Sequence, residues 1–313
     1  MRYTLTLLCF TLTATGLGQT TVYDFLRLDR SARIAALGGN SVSLAGDIAS
    51  FFQNPAVLDS STHKQASFSF QKHVLDINSG FVAYGRTLPG IGQFGAGISV
   101  VSYGNFEETD AVGNTTGSFS AGDFALQIGY AGHLQHFGFG ALRAGAALKF
   151  IFSSIQAFRS TALALDAGLL LAVPSEALHI GFAVLNLGTQ LSGFDGVREN
   201  LPLDVRFSLS KKLEGLPLEL TVGFIRLADP SDNFFTRFRQ FTVGGEFTIT
   251  EAVKLRIGYS NLQRQDLSLT GTLGLSGFSA GLGIAIEHFR FDYAFSSWGV
   301  LGGLHQLTLV TVL

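Results

Sequence analysis

Seven histidines, at positions 63, 73, 133, 136, 179, 288 and 305, are the side chains of this sequence best suited to ligate a metal or move a proton. Only His133 and His136 are close together, and they flank a predicted turn. That spacing suits turn or interfacial residues better than a metal site. Gly277-x-Ser279-x-Gly281 spells a nucleophile elbow in letters, but the motif needs a strand–turn–helix context. Here Ser279 lies in the strand-like run from Gly277 to Ile286, and with 38 glycines such matches arise by chance. Glu107-Glu108-x-Asp110 offers three acids to a cation without the glycine-turned geometry of a calcium loop, so it reads as a solvated loop tip. Lys211-Lys212 and the pair Arg237 and Arg239 stand near predicted strand ends, where they either touch anionic head groups or snorkel at the interface. The sequence holds no Gly-rich phosphate loop, Cys/His spacing or His-Glu-x-x-His helix. The expectation is a protein that is not an enzyme and carries neither cofactor nor metal. A membrane-embedded lipase or acyltransferase would need Ser, His and a carboxylate or amide to converge on one face, and nothing selects such a set.

The charged residues that do form a pattern are Arg206, Glu246, Lys254, Arg256, Arg290 and Asp292. Each alternates with apolar neighbours at a period of two, as in Val253-Lys254-Leu255-Arg256-Ile257-Gly258-Tyr259-Ser260 and Phe289-Arg290-Phe291-Asp292-Tyr293. Leu203 to Ser210 and Phe241 to Ile249 repeat the alternation. Such runs put an apolar face on one side of a strand and a polar face on the other. If the polar faces enclose a lumen, its opposite charges either salt-bridge it shut or line a pore, and the sequence leaves both open.

Bulk composition says what kind of sheet this is. The chain has 313 residues, 47% hydrophobic and only 14% charged, with a mean hydropathy of +0.34. A membrane helix needs about 20 apolar residues in a row. The best downstream candidate, Ala162 to Val173, is short and is interrupted by Asp166. Glycine at this abundance is unfavourable in helices, by about 1 kcal/mol per interior residue relative to Ala. Strands that cross lipid must close into a barrel, because an open edge leaves backbone groups unpaired.

The N-terminus reads as a secretory signal, with Arg2 as its positive end, an apolar stretch from Tyr3 to Thr15, and Gly16-Leu17-Gly18 before a cut ahead of Gln19. Cys9, the one cysteine, sits in mid-stretch without the small residues that precede a lipidated cysteine. Removing 18 residues from 313 leaves 295, and losing Arg2 takes the formal charge from −2 to −3. That mild acidity gives no electrostatic reason to bind nucleic acid.

Residues 19–64 form a compact leader, too small to hold its own core. Ser31 to Leu37 is helix-capable, with Ser31 as N-cap and Gly38-Gly39 as the stop. Asp47 to Gln53 suits a second short helix, ended by Asn54-Pro55. From Gln65 onward the pattern predicts about fourteen strands. Short turns, near Pro89-Gly90, Gln135-His136, Pro174 to Glu176, Leu213 to Gly215, Thr250-Glu251 and Glu287-His288, alternate with longer connections. The longer ones lie near Asn105 to Gly117, Ser153 to Ser160, Thr189 to Leu201, Asp229 to Arg237, Asn261 to Thr272 and Ser296 to Gly303. Short periplasmic turns opposite long external loops mark a bacterial outer-membrane barrel. The fold class expected is therefore all-β, an antiparallel barrel of about 14 strands (residues 65–313) with a short N-terminal hatch containing short helices, located in the outer membrane.

The leader also carries a resemblance. Tyr23 to Leu28, Ser31-Ala32-Arg33-Ile34-Ala35-Ala36-Leu37-Gly38-Gly39 and Phe51-Phe52-Gln53-Asn54-Pro55-Ala56-Val57-Leu58 resemble the PorQ family, outer-membrane components of the type IX secretion system of Bacteroidetes-like bacteria. Tyr84-Gly85-Arg86, Tyr103 to Phe106, Asn186-Leu187-Gly188-Thr189-Gln190-Leu191, Arg256 to Asn261 and Arg264 to Leu267 continue it in the same order. Asn54-Pro55-Ala56 alone is also similar to the N-terminal motif of FadL-type channels and of PorV. The resemblance implies a FadL-like barrel with the leader folded as a hatch inside or beneath it. It implies Ser31, Ala32, Arg33, Gly38, Gly39, Asn54, Pro55 and Ala56 as the hatch motif. It further implies a non-catalytic anchor for a PorZ-like surface protein, alongside PorV and PorU, in a complex that joins secreted cargo to surface lipopolysaccharide. The alternative is a FadL-type channel for fatty acids or other hydrophobic small molecules. That reading expects an apolar pocket beside the hatch and a lateral opening at a kinked strand, for which Gly277, Gly281 and Gly283 are candidates, although the same glycines also suit close strand packing. A passive pore, its lumen free of the hatch, is a third reading.

Overall fold

The computed structural model describes residues 21–230, 233–267 and 275–313. The signal-peptide reading, its cleavage site and Cys9 fall outside these residues, as do residues 231–232 and 268–272 of two of the expected long loops. Among the described residues no helix is long and apolar enough to cross a membrane.

The period-two alternation from Gln65 onward resolves into strands. On one side of the molecule they are β1 (Gln65–Lys72), β2 (Asn78–Leu88), β3 (Gly92–Thr109), β4 (Thr115–Phe137), β5 (Gly140–Ile155), β6 (Phe158–Val173) and β7 (Leu178–Ser192). On the other they are β8 (Asp204–Lys212), β9 (Leu218–Phe224), β10 (Phe241–Thr248), β11 (Val253–Ser260), β12 (Phe278–Ile286), β13 (Phe289–Ser297) and β14 (Gly303–Val312). Each pairs antiparallel with its chain neighbours, and β14 pairs with β1 from Gln65↔Val312 to Lys72↔His305. Fourteen strands thus close a barrel with no free edge, the arrangement that satisfies every strand in lipid. Phe68, Phe70, Ile98, Val100, Leu255, Ile257, Phe289 and Phe291 all lie exposed on the outer wall. An apolar outer face on a closed fourteen-stranded barrel makes this an outer-membrane protein.

The wall is uneven in height. β4 has 23 residues and β3 has 18, whereas β9 has seven and β10 eight. A tilted strand crosses lipid in about 9–11 residues, so the β3–β4 hairpin stands well clear of the membrane. Two of the expected long loops are therefore strand. The connection around Asn105 to Gly117 shrinks to a tight turn at residues 110–114, and that around Ser153 to Ser160 to residues 156–157. Likewise the short turn placed at Gln135-His136 lies at residues 138–139. Cross-strand pairing extended these hairpins beyond the point where polar composition suggested they would end. The longer connections at residues 193–203 and 225–240 remain.

The lumen is filled. The leader enters at the end of the long connections, runs down inside the barrel as short helices, and leaves at the short-turn end to begin β1. Its one α-helix, α1 (Ala32–Ala36), is capped by Ser31, whose side chain accepts from Ile34 N. A 3-10 helix at Ile48–Phe52 is capped in the same way by Asp47, and another at Pro55–Val57 by Asn54. Ile48, Phe51, Phe52 and Leu58 pack against Ala83, Ala131, Ala147 and Leu170 of the wall. Each large apolar side chain buried this way contributes roughly 1.5–3 kcal/mol, so several of them suffice to seat the hatch.

Candidate functional site

The hatch motif reads, residue by residue, as a set of attachments to the wall. Ala32 N donates to Thr308 Oγ1 at 2.8 Å. Gly38 and Gly39 turn the chain after α1 with φ of +86° and +85°, a conformation open to glycine. A Cβ on Gly38 would also meet the Tyr259 carbonyl oxygen of β11 at 2.8 Å. Asn54 caps its helix and donates to Val42 O at 2.6 Å and Leu169 O at 3.1 Å. The wall opposite it is Gly168, where any Cβ would overlap the Asn54 side chain. Pro55 stands at the first position of its helix, where its missing N–H costs nothing. Ala56 is fully buried.

Arg33 is the hinge of the electrostatics. Its guanidinium donates to Glu246 of β10 at 2.8 and 3.3 Å, and lies 3.6 Å from Asp47 and 3.9 Å from Glu219 of β9. Glu246 also accepts from Arg256 at 2.7 Å and from Lys254 at 2.9 Å. Arg256 reaches Asp292 of β13 at 2.6 Å, and Arg290 bridges Asp292 and Asp47, both at 2.7 Å. Four cations thus face four carboxylates, so the lattice is neutral and hatch and wall share it. Of the two possibilities the sequence left open, the lumen is salt-bridged shut. Arg206, the remaining charge of that set, pairs with Asp204 at 2.7 Å and donates to Gly39 O at 3.1 Å. The β5–β7 wall carries a smaller lattice, in which Lys149 meets Asp166 at 2.9 Å and Asn186 at 2.7 Å.

Above the hatch, at the end of the long connections, an apolar cavity of about 350 Å³ opens between Val22 of the leader, the β3–β4 hairpin, β5 and the loop residue Phe194. A bulge in β3 builds it. The register against β4 shifts between Ser102 and Asn105, with Gly104 at φ +83°. This shift turns both Tyr103 and Phe106 to the inner side, where strict alternation would have allowed only one of them. Phe106 stacks on Phe119 with centroids 5.3 Å apart. At the cavity floor Tyr103 Oη donates to Asp123 Oδ2 at 2.6 Å. Sequence reasoning expected an apolar pocket beside the hatch but named none of these residues, because the bulge makes no signal in the period. The glycines suggested for a kink do not supply one. β12 pairs with β11 and β13 without a register break, and Gly281 instead makes room for Ala36 of α1. A second recess, about 540 Å³, lies on the outer wall among Phe68, Phe70, Val82, Ile98, Val100 and Leu307 and faces hydrocarbon.

No arrangement for catalysis assembles among the described residues. His73 Nε2 and Ser79 Oγ are 2.8 Å apart, but Ser79 is buried and no acid or amide holds the other imidazole nitrogen. Ser279 is a strand residue of β12, as its sequence context suggested. His133 and His136 stack on each other at 4.8 Å, and no group of three metal-binding side chains forms among the described residues. Asp110 caps the β3–β4 turn, accepting from Asn114 N and Val112 N at 2.9 Å.

Fold and lumen together define the class: a hatch-plugged, fourteen-stranded outer-membrane barrel of FadL-like architecture. No protein-family profile matches the chain, and no curated protein sequence does. Among solved structures it is similar to the toluene transporter TodX of Pseudomonas putida, with 14% identity and a TM-score of 0.56 over 90% of this chain and 96% of that one. It is similar also to a FadL homologue of Pseudomonas aeruginosa, with 10% identity and a TM-score of 0.52 over 90% of this chain and 98% of that one. At these identities the likeness is one of fold.

Proposed function

We propose that this chain is a hatch-gated outer-membrane channel for hydrophobic small molecules, with residues 1–18 removed on export and residues 19–64 kept as the hatch. The observation that carries the reading is the apolar cavity above the hatch. It joins the external end of the barrel to the plug, and its volume sits at the low end of the ~300–1,000 Å³ of small-molecule sites. A lumen closed by a neutral ion lattice suits a ligand that is first captured and then passed, and does not suit a water-filled pore. The name of the structural neighbour TodX, a toluene transporter, agrees with this reading. The test is binding of labelled toluene to the purified protein in nanodiscs, with empty nanodiscs as reference. Saturable binding that Ala121→Trp abolishes supports the channel. Binding no greater than that of empty nanodiscs, for toluene and for its hydroxylated analogue p-cresol alike, sinks it.

A second reading, the anchor of a type IX attachment complex, rests on the resemblance of the hatch blocks and on one structural feature. Leu75, Val112, Val197, Val300 and Leu301 stand exposed at the tips of the external end, between 53% and 86% accessible. Pull-down of the tagged protein from gently solubilised outer membranes discriminates. Recovery of a PorZ-like surface protein with PorV and PorU favours the anchor. Recovery of the barrel with a bound hydrophobic ligand favours the channel.

A further inference from the structure

The cavity above the hatch is not uniformly greasy. Its walls are Val22, Phe106, Phe119, Ala121, Ile155 and Phe194, but its floor is polar. Asp123 lies there, 7% exposed, with Oδ2 accepting from Tyr103 and the Ser153 side chain beside its carboxylate. Ser153 faces Asp123 directly across the β4–β5 register. Ser153 is 1% exposed, and its hydroxyl leans on the Asp123 carboxylate without a hydrogen bond of good geometry. A buried hydroxyl so weakly paired is uncommon and calls for an explanation. The other charges within electrostatic reach of the two tyrosine hydroxyls at this end, Tyr23 and Tyr103, are the carboxylates of Asp24 and Glu199.

We propose that this cavity selects compact neutral aromatics bearing one hydroxyl, that is phenols and aromatic alcohols, and rejects carboxylates. The inference rests on the channel reading above and names its substrate class. The ring fills the space against the Phe106–Phe119 stack. The ligand hydroxyl donates to Asp123 and accepts from Ser153, which satisfies both floor groups at once. A hydrocarbon of the same shape leaves them so weakly paired, and a site built to bond a hydroxyl discriminates strongly against the analogue that lacks it. A carboxylate of the same shape is set against Asp123 in a water-poor recess, where like charges repel strongly.

Three probes of matched shape test this: p-cresol, toluene and p-toluate. Each is measured by equilibrium dialysis at pH 7.5 against the full chain in nanodiscs. The proposal expects p-cresol to bind about tenfold or more tightly than toluene, as one hydrogen bond to a charged group provides, and p-toluate to bind least. Asp123→Asn is expected to raise p-toluate affinity relative to that of toluene. Ser153→Ala is expected to narrow the preference for p-cresol over toluene. Heat-modifiable gel mobility confirms that each variant forms its barrel, and should Asp123→Asn fail to fold, Ser153→Ala carries the test alone. Equal binding of p-cresol and toluene in the wild type, unchanged in the folded variants, overturns the selectivity and leaves the channel reading standing. Failure of all three probes to bind overturns both.

Discussion

Glu246 shows what a single residue does in this lumen. It is nearly sealed from solvent and accepts from Arg33 of the hatch and from Arg256 and Lys254 of the wall. Burying charges is costly, and removing one partner of a buried pair costs about 3–5 kcal/mol, because the other charge is left uncompensated. Glu246→Gln leaves two buried guanidinium groups short of a counter-charge. The expected outcome is a loss of stability of that order in urea unfolding of the refolded protein, accompanied by earlier proteolysis within residues 30–55. Equal stability of the variant would show that the lattice is rearrangeable and does not fix the hatch. Arg30 is the contrasting residue. Also buried, it has no hydrogen-bonded carboxylate among the described residues, and it donates instead to Phe25 O and Leu26 O while lying over the Phe52 and Phe81 rings.

At the scale of elements, the β3–β4 hairpin is the unit that sets the site apart from a plain barrel. Its length carries Phe106 and Phe119 above the membrane, and its bulge aims Tyr103 and Phe106 inward. The tip depends on Asp110, whose carboxyl is held below its ordinary value of 3.8 by hydrogen bonds from the Asn114 side chain and from the Asn114 and Val112 backbone. A depressed carboxyl stabilises the turn above its unfolded pKa and stops doing so as pH falls through the folded one. The hairpin tip is therefore expected to stay ordered at neutral pH and to loosen only below the ordinary carboxylate range, read by NMR of the Val112 and Asn114 amides. Asp110→Ala should show the loosened spectrum at pH 7. A tip unchanged by either treatment would mean that cross-strand pairing alone holds it. The Ser31 cap was legible in the sequence because a cap is a local signal, set by one side chain and the amide two or three residues on; Asp47 and Asn54 cap their helices in the same way, but the sequence had marked them only as the start and the end of one helix. The bulge was not, since it is defined by a partner strand.

For the molecule as a whole, hatch and barrel are one fitted body. Gly168 lies flush against Asn54, and a side chain there has no room. Gly168→Val is expected to unseat the hatch while the barrel still forms, so that ion conductance in planar bilayers becomes frequent where the wild type is nearly silent. A silent, folded variant would place the seal elsewhere in the lumen. What the sequence by itself determined was the class. Period-two alternation along runs such as Val253 to Ser260 separates a lipid face from a lumen face, and a low charge content with no spanning helix leaves a closed barrel. These properties are local or compositional, so one chain read in order displays them. What only the tertiary structure decided was the fate of the lumen and the place of the site. Arg33, Asp47, Glu246, Arg256, Arg290 and Asp292 span 260 residues of chain, and whether they meet depends on strand register and on the hatch being inside. The cavity likewise draws Val22, Tyr103, Asp123, Ser153 and Phe194 from distant segments, and a one-residue slip at Gly104 decides which of them face it.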